Sequence, residues 1–436
     1  MSRTPREDVV ARPIVKPLKT QAETALAAAY AASRDDGASP ALRETRDRAF
    51  AVFEKLGLPS RRVEAWHYTD LRGMMKDAYP VSTPIASHGG DTSRISIVDG
   101  AAPTGLADLN WPAGLRVRSL RDALSSDTLI ESKLFPGLGA DDSVVALNAA
   151  LARDGVVIEV DPGATIAAPI ELAFASNGYA ERTDYSRSLI VVGAGASVTI
   201  VESHASSKSV QRNNALIFHL GDGARVDHVF VTEKHDAEIH VATLIAELAA
   251  NAQFNSFGFI SDGQSLRRQC FARCTGENVK VAFRGVSLLS GKRHADNTLV
   301  IDHAVPHGES RELFKHIIAD EATGVFQGKV VVRQHAQKTD GGMKSQALLL
   351  SDDAAMYNKP ELEIFADDVV CGHGATVGQL DKEQLFYLMA RGLPRANAEA
   401  LLLEGFARDA IDFVANETIR ERLDAALAAW LEGRSK

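Results

Sequence analysis

Three cysteines in 436 residues are too few and too odd in number for a disulfide framework, which suggests a reducing compartment. No apolar run approaches the roughly 20 residues needed to span a bilayer, so no membrane segment is expected. No basic block stands out, and the formal net charge is −9. Nucleic acid is therefore not an expected partner. Residues 1–20 carry Arg3, Arg6, Arg12, Lys16 and Lys19 but no apolar signal region. Glu7 and Asp8 weaken a transit-peptide reading, which leaves the cytoplasm as the default.

Catalytic signatures are scarce too. Ser290-Gly291-Lys292-Arg293 and Gly341-Gly342-Met343-Lys344-Ser345 fail the phosphate-loop pattern, so no nucleotide-hydrolysing apparatus is expected. No nucleophile elbow or dinucleotide fingerprint is found. Among the 13 histidines none forms His-x-His or His-Glu-x-x-His. Asp302, His303, His307 and Glu309 fall close together on a loop, a weak signal. Cys270 and Cys274 are four apart, not the Cys-x-x-Cys of a zinc or redox site, and read as core. These absences favour a scaffold over an enzyme.

What is present is ordinary globular material, 45% hydrophobic and 24% charged. At this length two or three domains are expected. Residues 1–20, with three prolines, read as a loose arm. Gln21 to Ser33 is helix-prone. Ser39 caps a second helix, Pro40 opens it, and Gly57 ends it. Leu42, Ala49, Phe53 and Leu56 fall on one stripe of that helix. In the stretch Arg61 to Leu71, Trp66 and Tyr68 read as packing anchors with polar tips, and no catalytic role is assigned to His67.

From about residue 155 the period changes. Val156–Val160, Leu189–Val192, Ser197–Val201 and Val226–Val231 read as short strands. A Gly-Ala-x-Ile/Val turn recurs at Gly163, Gly195, Gly223 and Gly374. A repeated strand–corner unit suggests a solenoid such as a parallel β-helix, with a β-sandwich as the competitor because the spacing is irregular. After Leu380 the helical period returns. Asp381 caps one helix, a second runs from about Arg395 to Phe413, and Asn416 caps a third carrying Ile419, Leu423, Leu427 and Leu431. Such a bundle commonly caps a solenoid end.

Between these parts lies Asp367-Asp368-Val369-Val370-Cys371-Gly372-His373-Gly374-Ala375-Thr376. On an extended strand Cys371 and His373 leave the same face, with Cα atoms about 6.6 Å apart. Thiolate and imidazole both bind metals, and two ligands alone do not complete a site, so the rest must come from elsewhere. The glycine repeat suggests instead that His373 occupies a corner slot, like Ala194 and Asp222. Asp367 and Asp368 would oppose the Cys371 thiolate, which weights His373 above Cys371.

With those residues in view, the chain resembles the SufD branch of the SufB/SufD family of the SUF iron–sulfur assembly system. Three stretches carry the resemblance: Arg61–Leu71, Lys359–Val369, and Cys371–Gly378 running into Asp381–Gly392. It implies a right-handed parallel β-helix core at 151–380, a helical or mixed domain at 21–150, and a C-terminal helical domain at 381–436. It also implies pairing with SufB through the β-helix cores and docking of the ABC-type ATPase SufC on the C-terminal helices, where Leu385, Phe386, Leu402 and Phe406 are the docking residues expected. The resemblance places a transient Fe–S cluster at the SufB interface, with His373 and, less firmly, Cys371 as its ligands here. Whether a flavin binds is left open. The alternatives are a β-helix polysaccharide-active enzyme, a SufB-like persulfide-accepting scaffold, or a homodimer acting alone.

Overall fold

The computed structural model describes residues 18–34, 36–82, 94–106, 109–176, 180–206 and 210–434. Most of the expected loose arm lies outside them. Helix α1 (Gln21–Ala32) opens on a capping box, in which Thr20 and Glu23 satisfy each other's backbone N–H groups. Helix α2 (Pro40–Leu56) starts as its sequence indicates, with Ser39 Oγ accepting from Leu42 N–H. Gly57 stops it at φ 70°, a conformation glycine adopts freely. Of the expected stripe Leu42 and Phe53 are buried, whereas Leu56 is exposed. Short helices α3 (Leu71–Met74), α4 (Leu120–Ser126), α5 (Thr128–Leu134) and α6 (Ser143–Leu151) complete the N-terminal part.

The body is built from strands β1 (Ile95–Val98), β2 (Leu115–Ser119), β3 (Val156–Val160), β4 (Ile170–Ala175), β5 (Arg182–Val192), β6 (Ser197–Ser206), β7 (Val210–Leu220), β8 (Arg225–His235) and β9 (Ile239–Leu248). It continues through β10 (Gln253–Ile260), β11 (Ser265–Cys274), β12 (Lys280–Leu289), β13 (His294–His303), β14 (Glu309–Ile318), β15 (Thr323–Val332), β16 (Asp340–Leu349), β17 (Ala355–Ile364) and β18 (Val370–Gly378). They form two nine-stranded sheets, β1-β4-β6-β8-β10-β12-β14-β16-β18 and β17-β15-β13-β11-β9-β7-β5-β3-β2. All ladders are parallel except β2 with β3. This is a parallel β-solenoid, not a sandwich, and helices flank it on both sides.

Side chains alternate across each strand, so every second residue enters the space between the sheets. Val198, Val226, Phe254 and Val281 stack there with Phe283, Phe314 and Phe326. Each such burial contributes about 1.5–3 kcal/mol relative to exposure. Helices α4, α5 and α6 cover one sheet's outer face at Val157, Leu189, Ile217 and Ile245. On the other sheet, α8 (Arg395–Ile411) and α9 (Glu417–Arg434) cover Val229, Phe257, Phe259, Val286 and Ile317. The C-terminal helices therefore lie along a face and do not cap the solenoid end. Their stripe of Leu403, Ala407, Ile411, Leu423 and Leu427 needs a broad apolar surface, which a sheet face offers and a single exposed rung does not.

Among the described residues no strand covers the last rung. Strands β17 and β18 each pair on one side only, so their outer backbone groups are free to join another strand. Tyr357, Phe365, Val370 and Val377 are exposed beside that edge, Val370 at 73%.

Candidate functional site

The site sequence lies on this terminal rung. Parallel register places Ile200, His228, Ser256, Phe283, Glu312, Met343 and His373 side by side on successive rungs. All of them but His373 are buried, so this column faces the interior. His373 is exposed, since among the described residues no rung follows it. The neighbouring column runs Val198, Val226, Phe254, Val281, Ser310, Gly341, Cys371. Cys371 is half-buried and packs against the interior cluster. Both candidate residues thus leave one face of β18, at the mouth of the solenoid.

This overturns the corner reading of His373. The true corners hold Gly163, Gly195 and Gly223 at φ 66–73°, and Gly374 is not among the residues of positive φ. The turn before β18 is Phe365–Val369, so the Gly372-His373-Gly374 resemblance to a corner is one of sequence only.

Burial pushes the Cys371 thiol up, the Gly341 N–H that bonds to it pulls the other way, and Asp340 and Glu312 raise it further. Asp340 replaces the two aspartates the sequence singled out, since Asp368 pairs with Lys338. Beneath the rung, Ser310 and Glu312 are buried, and the Ser310 hydroxyl lies beside the carboxyl without completing a well-formed hydrogen bond. Burial pushes the Glu312 carboxyl up to about 8, against weaker pulls from Ser310, Arg311 and Arg284. In the unfolded chain a glutamate ionises near ~4.3. Between those values the unfolded chain releases a proton that the native chain keeps, so stability falls as pH rises through the window. Glu312→Gln is expected to leave stability unchanged near pH 4 and to raise it by roughly 3–5 kcal/mol at pH 8, read from denaturation midpoints at both pH values.

Among the described residues no three His, Cys, Asp or Glu side chains converge to hold a metal ion. A metal ion held by Cys371 and His373 would need further ligands beyond the described residues. The loop cluster of the sequence reading has a structural use: Asp302 accepts from Arg273 and Arg333, while His303 is buried. Cys270 and Cys274 are core residues, and burial pushes both thiols up, Cys274 to about 12.

A second surface lies on α7 (Lys382–Ala390), capped by Asp381, and the start of α8. Glu383, Gln384, Tyr387, Leu388, Leu401 and Leu402 line an open apolar groove there. Phe386, on the same helix, is 73% exposed. Of the four docking residues expected, Leu402 lines this groove and Phe386 is exposed on α7. Leu385 is buried and Phe406 is half-buried against the solenoid, with Lys315 Nζ 4.4 Å from its ring centre.

The Arg61–Leu71 stretch proves to be a clamp on the solenoid. Trp66 is buried with Arg267 stacked on it at 3.9 Å, and its Nε1 donates to Asp142. Tyr68 stacks on Tyr357 of β17, and Lys359 donates to Glu64. The N-terminal part is thereby tied to the terminal rung that carries the site's neighbours. His67 is exposed, its Nδ1 near Arg61 O.

Residues 174–406 match the family described as "SUF system FeS cluster assembly, SufBD core domain", and residues 20–95 match "SufBD protein N-terminal region". The iron-sulfur cluster assembly protein SufD of Escherichia coli is 28% identical over 395 residues, covering 88% of this chain and 91% of that protein. A SufBD family protein of Synechocystis is 29% identical over 406 residues, covering 87% and 88%. Protein ABCI7, chloroplastic, of Arabidopsis thaliana is 26% identical over 416 residues, covering 89% and 86%.

Proposed function

Because the chain belongs to the SufBD family of iron–sulfur cluster assembly proteins, we propose that it is a non-catalytic, SufD-type scaffold subunit working with a SufB homologue and a SufC-type ATPase. The uncovered terminal rung carries this reading. It presents Cys371 and His373 at the solenoid mouth, next to backbone edges that a second solenoid can extend. The partner supplies the missing ligands, and the cluster is cargo assembled between the two chains. The domain division at 21–150, 151–380 and 381–436 belongs to the same proposal, as does a cytoplasmic setting. Among the described residues no helix is long and apolar enough to cross a membrane.

A persulfide-accepting role for Cys270 or Cys274 is not favoured, since both thiols are sealed in the core and raised by burial. ATP-driven motion has to come from the docked partner, which we place on the α7–α8 groove. Co-expression of the tagged chain with SufB and SufC homologues, followed by size-exclusion chromatography, tests the whole assembly. Phe386→Asp is expected to weaken SufC capture about tenfold or more, because it buries an unpaired charge in the contact. The fold should be unaffected, as the ring is exposed. Capture of SufC at full strength would move the docking surface elsewhere, and absence of any SufB in the eluate would favour the homodimer.

A further inference from the structure

The helices of the N-terminal part leave a groove open between them. It has a volume of about 1020 Å³ and runs from the first turns of α2 to the elbow between α4 and α5. Pro40, Ala41 and Leu42 line it on α2, and Leu124 and Phe135 line it on the side of the elbow. Leu124 and Phe135 stay half-buried, at the edge of the cluster that α4 and α5 form with the solenoid. Apolar side chains left at such an edge gain by further burial.

The charges that line the groove are paired, with two exceptions. Arg46 and Arg153 share Asp36 at 2.7 and 3.0 Å. Arg121 lies 3.6 Å from Asp154, and Arg48 is 2.8 Å from Glu44. Among the described residues no cation pairs directly with Asp127 or Glu131. Asp127 accepts from Leu129 N–H as the cap of α5, and Glu131 accepts from Thr45 Oγ1. Arg48 donates to that same Thr45 hydroxyl and so reaches Glu131 only at second hand. The two carboxylates stand one turn apart, half-buried between Leu124 and Phe135. Partly desolvated carboxylates without a counter-charge are costly, and a cationic guest offsets that cost.

We propose that the chain's own N-terminal segment, residues 1–11, docks in this groove as a latch, with residues 12–17 as its tether. The described chain starts at Leu18, 91% exposed, and the contact of Lys19 with Glu54 fixes that start near the end of α2. From Glu54 back to Leu42 is about 18 Å along the helix, whereas residues 1–17 can extend to about 56 Å. Arg3, Arg6, Arg12 and Lys16 outnumber Glu7 and Asp8, so the segment carries the charge that the groove lacks. Val9-Val10-Ala11 meets Leu124 and Phe135, while Arg3 and Arg6 pair with Asp127 and Glu131. Glu7 and Asp8 fall between them, toward the exposed Arg48 and Arg121 on the rim. Pro13 and Pro17 keep the tether out of a helix. Because α5 packs on the solenoid, the docked segment ties the α1–α2 hairpin to the helices that cover the sheet. The latch stands independently of the scaffold reading above.

Photo-cross-linking of the full chain, with p-benzoylphenylalanine in place of Val10, tests this by mass spectrometry of the linked peptides. Cross-links are expected to peptides covering residues 38–48 and 124–135, with a yield that does not change on dilution. Asp127→Asn, which keeps the helix cap, combined with Glu131→Lys should lower that yield about five- to tenfold, as the loss of two partly buried ion pairs. Arg3→Glu and Arg6→Glu added to that variant should recover much of it, which a damaged α5 would not allow. Yields that rise with protein concentration would place a second copy of the chain in the groove. Cross-links only to other segments, or none, would give the groove to a different partner. Either result would overturn the proposal, as would a yield unmoved by the charge changes or one lowered without recovery.

Discussion

Replacing His373 by alanine is expected to leave the three-component complex assembled and to reduce its bound iron and sulfide several-fold or more. The imidazole is exposed on the last rung, so its removal opens no cavity, and a surface substitution of this kind usually changes stability by less than about 0.5 kcal/mol. Contacts in a solenoid are local, so the rungs behind β18 are not affected. Among the described residues the site has two ligand-type side chains on one face, and no third group converges with them. Losing one of two is then a large fraction of what this chain contributes. Cys371→Ala should do less. Its thiol is raised by burial and by Asp340 and Glu312, and must give up a proton before it can bind iron. The check is iron and acid-labile sulfide per complex, after size-exclusion chromatography has shown that the complex is intact. Normal content in an intact His373→Ala complex would reduce His373 to an ordinary surface residue.

The helices were legible because their ends are written in local chemistry. Ser39, Asp381 and Asn416 cap where their side chains allow, and Gly57 stops α2. Ile419, Leu423, Leu427 and Leu431 likewise announce a buried stripe. What that stripe packs on is not local information, which is why a bundle expected at the solenoid end lies on a sheet face. The inward columns were hidden for a related reason. His228, Ser256, Ser310 and Glu312 are polar at positions that alternation assigns to solvent, yet the ladder turns them inward. For His228 and Ser256 the cost is met by a network that no single strand reveals. Burial alone would raise the Glu202 carboxyl, but N–H groups of His204 and His228 pull it well below the usual carboxylate range. Asn214 donates to the same oxygen as His204. Gly372 and Gly374 misled in the opposite sense. They imitate a corner in sequence, and only the pairing of Val370 with Asp340 shows that they lie within a strand.

Asp296→Ala is expected to cost about 3–5 kcal/mol and to loosen the N-terminal segment from the solenoid. Asp296 is fully buried on β13 and accepts from Arg267 Nη1 at 2.5 Å. It also accepts from Thr69 at 2.5 Å and Thr298 at 2.8 Å. Arg267 is itself buried, stacked on Trp66, and donates to Ala65 O. Removing the carboxylate leaves a guanidinium in the interior with no opposite charge, and breaking one side of a buried pair is far costlier than replacing both. Thr69 loses the carboxylate it donates to and keeps only His294 Nε2 beside its hydroxyl, and Thr69 and Ala65 are the two ends of the clamp. Because Tyr68 and Glu64 in that segment also hold Tyr357 and Lys359 of β17, the loss should reach the terminal rung. The variant should show a lower denaturation midpoint, together with faster proteolysis near residues 61–71 at temperatures where the solenoid remains folded. Arg267→Met added to Asp296→Ala should recover part of the stability by removing the unpaired charge, and a double variant no better than the single one would mean that Asp296 acts through Thr69 and Thr298 alone.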